Sequence, residues 1–416
     1  MGPGLIAYSI PIFFLLIGIE LVIDRSKKSG LYRFNDAVTN ISCGIGSQLT
    51  GVFLKTLSFV AYYFIWEHYR IADIPNSWIT WILLFIGVDF FYYWFHRLAH
   101  EISLLWGSHI VHHQSEEYNF SVALRQGWLQ GAFSMWFYLP LAFIGFDPYV
   151  FVSINALQTL YQFWIHTKTI DKLPAPIEYV FNTPSHHRVH HGVNPKYIDR
   201  NHGGTLIIFD RMFGTFQAEE EEVVYGITNQ ARSWNPLRLN LEYWLDLIRK
   251  SFRAHNLKDG LKILFGPPGW KPEYMGGAPE LKEVTNESFH KYDTDIPAKL
   301  NYYVLFQYLL VLGGTSLFLF NTDKLDTTGQ ITASMLILWS IVNLGAIFEG
   351  RAWVYYSEML RLPVLAMAML FWFDDAGVSS ILSLVLVIAF CLSMPFIYRH
   401  RTIFTQAVTP LREDAA

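Results

Sequence analysis

The chain has 416 residues, of which 52% are hydrophobic, 17% aromatic and only 16% charged, against roughly 25% charged in ordinary soluble chains. That composition excludes a disordered chain, a collagen-like repeat and a small disulfide scaffold, and a mean hydropathy of +0.24 assigns much of the chain to lipid. A net charge of −4 carries no basic excess for nucleic acid, and the two cysteines, Cys43 and Cys391, offer neither a disulfide framework nor a thiolate metal site.

A helix needs ~20 mainly apolar residues to cross ~30 Å of hydrocarbon. Candidate runs are 5–23, 41–66, 78–95, 128–146, 149–165, 302–320, 331–348, 362–373 and 381–397. The first reads as a retained span and not a signal peptide, because no basic stretch precedes it and Glu20 and the charged run 24–28 follow. The fourth and fifth form a tight hairpin, and the eighth is short.

Lys and Arg cluster after the first run (Arg25, Lys27, Lys28, Arg33) and after the third (Arg97, Arg125). Arg70 stands alone after the second run and Lys324 after the sixth, whereas Arg351, Arg361, Arg399 and Arg401 lie at inner ends. This asymmetry predicts an all-α, polytopic integral membrane protein of nine spans, with an outer amino terminus and a cytoplasmic carboxyl terminus. Residues 96–127 and 166–300 then face the cytoplasm together. The expected domains are amino-terminal spans over 1–77, a histidine-bearing catalytic domain over 78–265, a Pro- and Gly-rich cytoplasmic linker over 266–300, and four further spans over 301–416. The acidic run 219–222 reads as a solvated loop.

Of 15 histidines, 11 fall between His96 and His202. His96 and His100 read H-x-x-x-H at the polar end of the third run, and on a helix residues i and i+4 share a face. His109, His112 and His113 read H-x-x-H-H, and His187, His190 and His191 repeat that pattern. Eight imidazoles exceed the four ligands of one structural zinc, so two first-row metals sharing a cytoplasm-facing cluster is the economical reading, and imidazole alone does not select the ion. A zinc-peptidase pattern fails because Leu104 stands where the second histidine is required. The paired Glu-x-x-His pattern of soluble di-iron bundles is missing too.

Other residues join the expectation. Asp89, in an apolar run seven residues before His96, is a candidate partner for an imidazole N–H or a buried cation. Asn155, Gln158, Gln162 and His166 form a polar stripe that ends at His166, the ninth ligand candidate. Glu101, beside His100, is a candidate acid. His186 points about 100° away from the third motif and is weaker, and His202 is left outside the ligand set. His68, His255, His290 and His400 have bland readings. Trp94, Phe95, Trp106, Phe163 and Trp164 are candidates to line a channel for an acyl tail.

At its three histidine motifs the chain resembles the fatty acid hydroxylase/sterol desaturase superfamily, and within it the alkylglycerol monooxygenase family. Similar strings are DFFYYWFHRLAHE (89–101), YNFSVALRQ (118–126), YQFWIHT (161–167), NTPSHHRVHHG (182–192), FGTF (213–216) and VYG (224–226). His202 departs from the aromatic residue expected in Asp-x-Asn-x-Gly-Gly. The resemblance implies a non-haem di-iron centre (two Fe ions) and an O2-dependent monooxygenase of membrane lipids. It also implies cleavage of the ether bond of alkylglycerols to a fatty aldehyde and glycerol, with tetrahydrobiopterin as reductant. No motif for the pterin or any other electron donor is readable. The expected host is the inner membrane of a bacterium or the endoplasmic reticulum of a eukaryote. The competing readings are a sterol or fatty acid hydroxylase or desaturase on the same metal core, and a metal-binding membrane transporter. The transporter requires ionisable groups inside several spans, and Asp89 is the one clear mid-span acid.

Overall fold

The computed structural model describes residues 5–372 and 380–406. Seventeen α-helices follow in chain order among the described residues. They are α1 (Leu5–Lys27), α2 (Phe34–Tyr69), α3 (Trp78–Glu101), α4 (Ser103–His113), α5 (Phe120–Ala123), α6 (Gln130–Ile144), α7 (Pro148–Trp164), α8 (Ala175–Val180) and α9 (Pro184–His190). The remainder are α10 (Ile208–Phe213), α11 (Pro236–Phe252), α12 (Leu257–Phe265), α13 (Ala298–Phe320), α14 (Thr327–Phe348), α15 (Val354–Trp372), α16 (Ser380–Arg399) and α17 (Arg401–Thr405). No strand occurs among the described residues, only two isolated bridges, so the fold is all-helical. Among the described residues four helices, α2, α3, α13 and α14, are long and apolar enough to cross a membrane. The protein is therefore a multi-pass membrane protein. The eighth apolar run ends at Phe373, which lies outside the described residues, as does the chain end beyond 406.

Local chemistry sets the helix ends. Ser77 caps α3 by accepting the Thr80 N–H. Asp147 accepts the N–H groups of Tyr149 and Val150, with Pro148 at the first helical position, and so starts α7. Gly145, at φ 118°, ends α6 in a left-handed turn that a Cβ would strain. These signals make the tight α6–α7 hairpin that the sequence anticipates. Its helices have 15 and 17 residues, roughly 22 and 26 Å long at 1.5 Å per residue.

The helices form two compact units. One comprises Ser9–Ala231 with Asn240–Lys291. In it α3 packs on α4, α6 and α7, and α2 packs on α5 and α6. Tyr62, Leu84, Val88, Tyr138, Leu141, Val150 and Ile154 form one apolar core, and Phe13, Ile17, Phe120 and Phe163 form a second. A single extended residue, Ile102 (φ −121°, ψ 120°), separates α3 from α4 and redirects the chain. The seven-residue α9 is too short to hold itself. It is clasped by two bridges, Phe181 with Leu206 before it and Gly192 with Tyr225 after it.

The other unit contains Arg232–Leu239 and the described residues from Tyr292 onward. In it α13, α14, α15 and α16 pack in sequence-adjacent pairs. Its centre holds a fully buried ion pair, Arg361 Nη2 to Glu358 Oε2 at 2.6 Å. Asn343 donates to Glu358 at 2.8 Å, and Gln307 accepts from Arg361 at 3.0 Å.

Candidate metal centre

All nine histidines singled out in the sequence converge in the first unit, and each is buried. They divide into two groups that could each hold a metal ion. One is His96, His100, His109, His113 and His190; the other is His112, His166, His187 and His191. Within each group the candidate ligand nitrogens lie within 4.8 Å of one another.

The division follows from helical pitch. At 3.6 residues per turn, position i+4 lies about 40° to one side of position i and i+3 about 60° to the other. The H-x-x-x-H pair of α3 therefore stays together. In α4, His109 and His113 join the five-histidine group while His112 turns to the four. Around α9, His187 and His191 join the four while His190 turns to the five. Each H-x-x-H-H motif thus spans both groups, and His166, just past the end of α7, completes the smaller one.

Backbone carbonyls set the tautomers. Nδ1–H donates from His96 to the His202 carbonyl (2.8 Å), from His112 to that of Arg125 (2.9 Å), from His166 to that of Gln162 (2.7 Å) and from His190 to that of Arg200 (3.0 Å). A carbonyl can only accept, so the proton sits on Nδ1 and the Nε2 lone pair faces inward. His112 and His166 then oppose two lone pairs at 3.1 Å. That contact repels unless a cation lies between the rings. Nε2 of His100, His190 and His191 is buried with no partner. Burial pushes His109 and His166 down to about 4, and takes His112, His113, His187, His190 and His191 well below their ordinary value. Neutral imidazoles with inward lone pairs are the form that ligates a metal.

Asp89 and His96, two turns apart on α3, engage the same loop. The Asp89 carboxylate accepts the N–H groups of Thr205 and Leu206, both at 2.8 Å. His96 donates to the carbonyl of His202. Among the described residues no imidazole bonds Asp89; of the two partners considered for it, an imidazole N–H or a buried cation, the first is not in contact, and its link to His96 runs through the backbone of residues 202–206. A Cβ on Gly204 would lie 2.8 Å from Asp89 Oδ1, so only glycine lets the loop approach this closely. Asp210 ties down the same loop by accepting the N–H groups of His202 and Gly203, each at 2.7 Å.

Glu101 pairs with Arg97 at 2.8 Å near solvent and belongs to neither group. His186 turns away to Glu178 at 2.9 Å, as its helical angle requires. His202 is fully buried, with its ring centre 5.2 Å from that of His100. Trp106 lies 4.8 Å from His100, whereas Phe163 is stacked between Phe13 and Phe120 in the core. Gln158, on the polar stripe, donates to the Phe85 carbonyl and joins α7 to α3.

Several supporting residues were not anticipated. Gln130 accepts from His109 Nδ1 at 3.0 Å. Buried Arg125 donates to the Val111 carbonyl at 2.7 Å and to Asn40 at 2.8 Å, so its own carbonyl is held beside His112. Glu20 accepts the Phe120 N–H at 2.8 Å and also bonds Tyr32 and Thr167, the residue after His166. Tyr118 stacks on Tyr225 at 4.8 Å, and its ring lies 5.3 Å from that of His191. Arg125 and Tyr118 lie inside strings that resemble the superfamily, which was the available signal. Glu20 had no motif to mark it.

The family model for fatty acid hydroxylase matches residues 81–215, the segment that carries all nine histidines. Alkylglycerol monooxygenase of Xenopus tropicalis is 38% identical over 354 residues, covering 84% of this chain and 78% of that protein. The human alkylglycerol monooxygenase is 37% identical, covering 86% and 81%. The chain belongs to the alkylglycerol monooxygenase family. It is accordingly an oxygen-dependent oxidoreductase, a lipid monooxygenase, and the transporter reading falls away. Ornithine lipid hydroxylase OlsE of Rhizobium tropici is 30% identical over 146 residues, 34% of this chain. No solved structure matches.

Proposed function

We propose that this protein is a di-iron monooxygenase that cleaves the ether bond of alkylglycerols. The observation that carries the reading is the pair of buried histidine groups, with neutral rings and inward lone pairs, in a chain related over most of its length to alkylglycerol monooxygenases. His96, His100, His109, His113 and His190 would hold one iron. His112, His166, His187 and His191 would hold the other. Iron supplies the activation of O2 that a C–H bond beside an ether oxygen requires.

The chain's own residues supply orientation and exclusion of water. The carbonyls of residues 125, 162, 200 and 202 fix four ring tautomers. Asp89 and Asp210 hold the loop that presents two of those carbonyls. Hydroxylating the carbon next to the ether oxygen gives a hemiacetal, which separates into a fatty aldehyde and glycerol. A bulk-accessible site would divert the oxidant, and the burial of every ring in both groups opposes that. The amphiphile's tail stays in the bilayer while its head reaches the cytoplasmic interface.

The electron donor we favour is a reduced pterin such as tetrahydrobiopterin. A cavity of about 240 Å3 lined by Lys168, Arg188, Glu219 and Tyr225 is its candidate approach, since Tyr225 stacks on Tyr118 beside His166 and His191. As its host membrane we propose the inner membrane of a bacterium or the endoplasmic reticulum of a eukaryote. The test is oxygen-dependent turnover of a panel of alkylglycerols, sterols and acyl lipids, with and without tetrahydrobiopterin. Fatty aldehyde released from an alkylglycerol supports the proposal. New hydroxyl or double-bond products on sterols or acyl chains, with ether lipid untouched, replace it with a hydroxylase or desaturase.

A further inference from the structure

Helices α11, from Asn240 on, and α12 each present three faces. On α11, Leu241, Leu245, Ile248 and Phe252 recur at spacings of 4, 3 and 4 and fall within an arc of about 60°. All four are exposed, Phe252 to 87%. Leu247 and Trp244 occupy the side turned to the protein: Leu247 is buried, and Trp244 stacks on Phe133 at 5.3 Å. Glu242, Asp246, Arg249 and Lys250 take the third side, with Arg253 directly after the last residue of the helix. The pattern recurs on α12. There Leu257, Leu261 and Phe265 are exposed, Gly260 and Ile263 are buried, and Lys258 and Lys262 lie on the third side.

A helix in water needs two faces, one for the core and one for solvent. A second apolar face, separate from the buried one and bordered by charge, needs a third medium. The anchors of these helices identify it. The Gly266 carbonyl, at the end of α12, accepts both the N–H (2.9 Å) and the hydroxyl (3.0 Å) of Ser103. Ser103 lies two residues past the end of the spanning helix α3. Trp244 also fills the space above Gly107, where a Cβ would come within 2.8 Å of its ring. The hairpin is thus tied to the chain immediately past the end of the spanning helix α3.

We infer that α11 and α12, over residues 240–265, lie in the membrane interface, with the Leu241–Phe252 stripe and Leu257, Leu261 and Phe265 in the acyl boundary of the same bilayer that α3 crosses. Such a helix buries its apolar face ~5–10 Å into the headgroup/acyl boundary, and basic side chains at its border favour anionic lipid. The exposed Arg249, Arg253, Lys258 and Lys262 fit that border. Because the hairpin packs on α4, which carries His109, His112 and His113, it also sets the depth of the histidine groups relative to the headgroups.

The test uses the full chain with exposed Cys391 replaced by Ser. Single cysteines are introduced as Phe252→Cys, Leu257→Cys, Arg249→Cys and Lys258→Cys, labelled with an environment-sensitive fluorophore and reconstituted into phosphatidylcholine vesicles with and without phosphatidylserine. All four sites are exposed, so folding is preserved, and retained tryptophan fluorescence and thermal transition check this. Spin-labelled lipid is expected to quench positions 252 and 257 about threefold or more above positions 249 and 258, with aqueous iodide showing the reverse order. Equal iodide access at all four sites overturns the inference. So does shielding at 252 and 257 that disappears on diluting protein in lipid, which assigns the stripe to a second copy of the chain. Neither outcome depends on the substrate or the metal.

Discussion

His112 and His113 are consecutive in the chain, yet their imidazoles serve different groups, with ring centres 5.4 Å apart and planes at 87°. A peptide bond thus connects the two proposed iron sites directly. The 100° step of the helix is what parts the rings.

The two single variants should separate the sites. His112→Ala is expected to lose the metal of the four-histidine group and His113→Ala that of the five, each dropping metal content from about two ions per chain towards one. Both should abolish lipid oxidation. Elemental analysis of protein purified without chelator reads the result. If His112→Ala keeps full metal and full turnover, the ligand assignment is wrong.

Asp89→Ala frees the amides of Thr205 and Leu206 and releases the loop whose carbonyl orients His96. Because Asp89 acts through that loop, metal affinity should fall ~10–100-fold while the helical content stays intact. Asp89→Asn keeps one acceptor oxygen and should fall between this variant and the parent. Competition against a graded chelator measures the effect. An unchanged affinity in Asp89→Ala removes the loop from the site's support.

Acid should unfold the metal-free protein through its histidines. His109 and His166 are pushed down to about 4 by burial, from ~6.5 in an unfolded chain. Between those values the unfolded chain binds more protons, so stability rises with pH across the window and is lost as pH falls from ~6.5 towards ~4. The melting temperature of chelator-treated protein, followed from pH 8 down to 4.5, should hold to about pH 6.5 and then decline. A flat profile to pH 5 contradicts the burial of these rings.

The carboxyl-terminal unit depends on Glu358 and Arg361. Both are fully buried. Removing one charge by Glu358→Gln leaves the other buried without its partner, a loss of roughly 3–5 kcal/mol. The double variant Glu358→Leu with Arg361→Met should recover much of it. Thermal unfolding in one detergent, compared across the parent, single and double variants, checks the order. A double variant worse than the single would show that the surrounding Asn343 and Gln307 bonds carry the unit.

Spacing alone named the candidate ligands. H-x-x-x-H and two H-x-x-H-H motifs name eight histidines, and the polar stripe ending at His166 names the ninth, because helical periodicity is local and readable in sequence. The all-helical, membrane-spanning character was equally legible, since apolar run length is a property of the chain itself. The partition of nine rings into five and four was not. It depends on how the break at Ile102 turns α4 against α3 and on how two isolated bridges clasp α9. Nor were the partners of Asp89 readable: the Thr205 and Leu206 amides that its carboxylate accepts come from more than a hundred residues away. Glu20 shows the same limit. A carboxylate in an apolar helix is visible in sequence, but its partners Phe120 and Thr167 exist only once distant segments meet. Composition and period act between neighbours along the chain, whereas hydrogen-bond partners across it are chosen by packing.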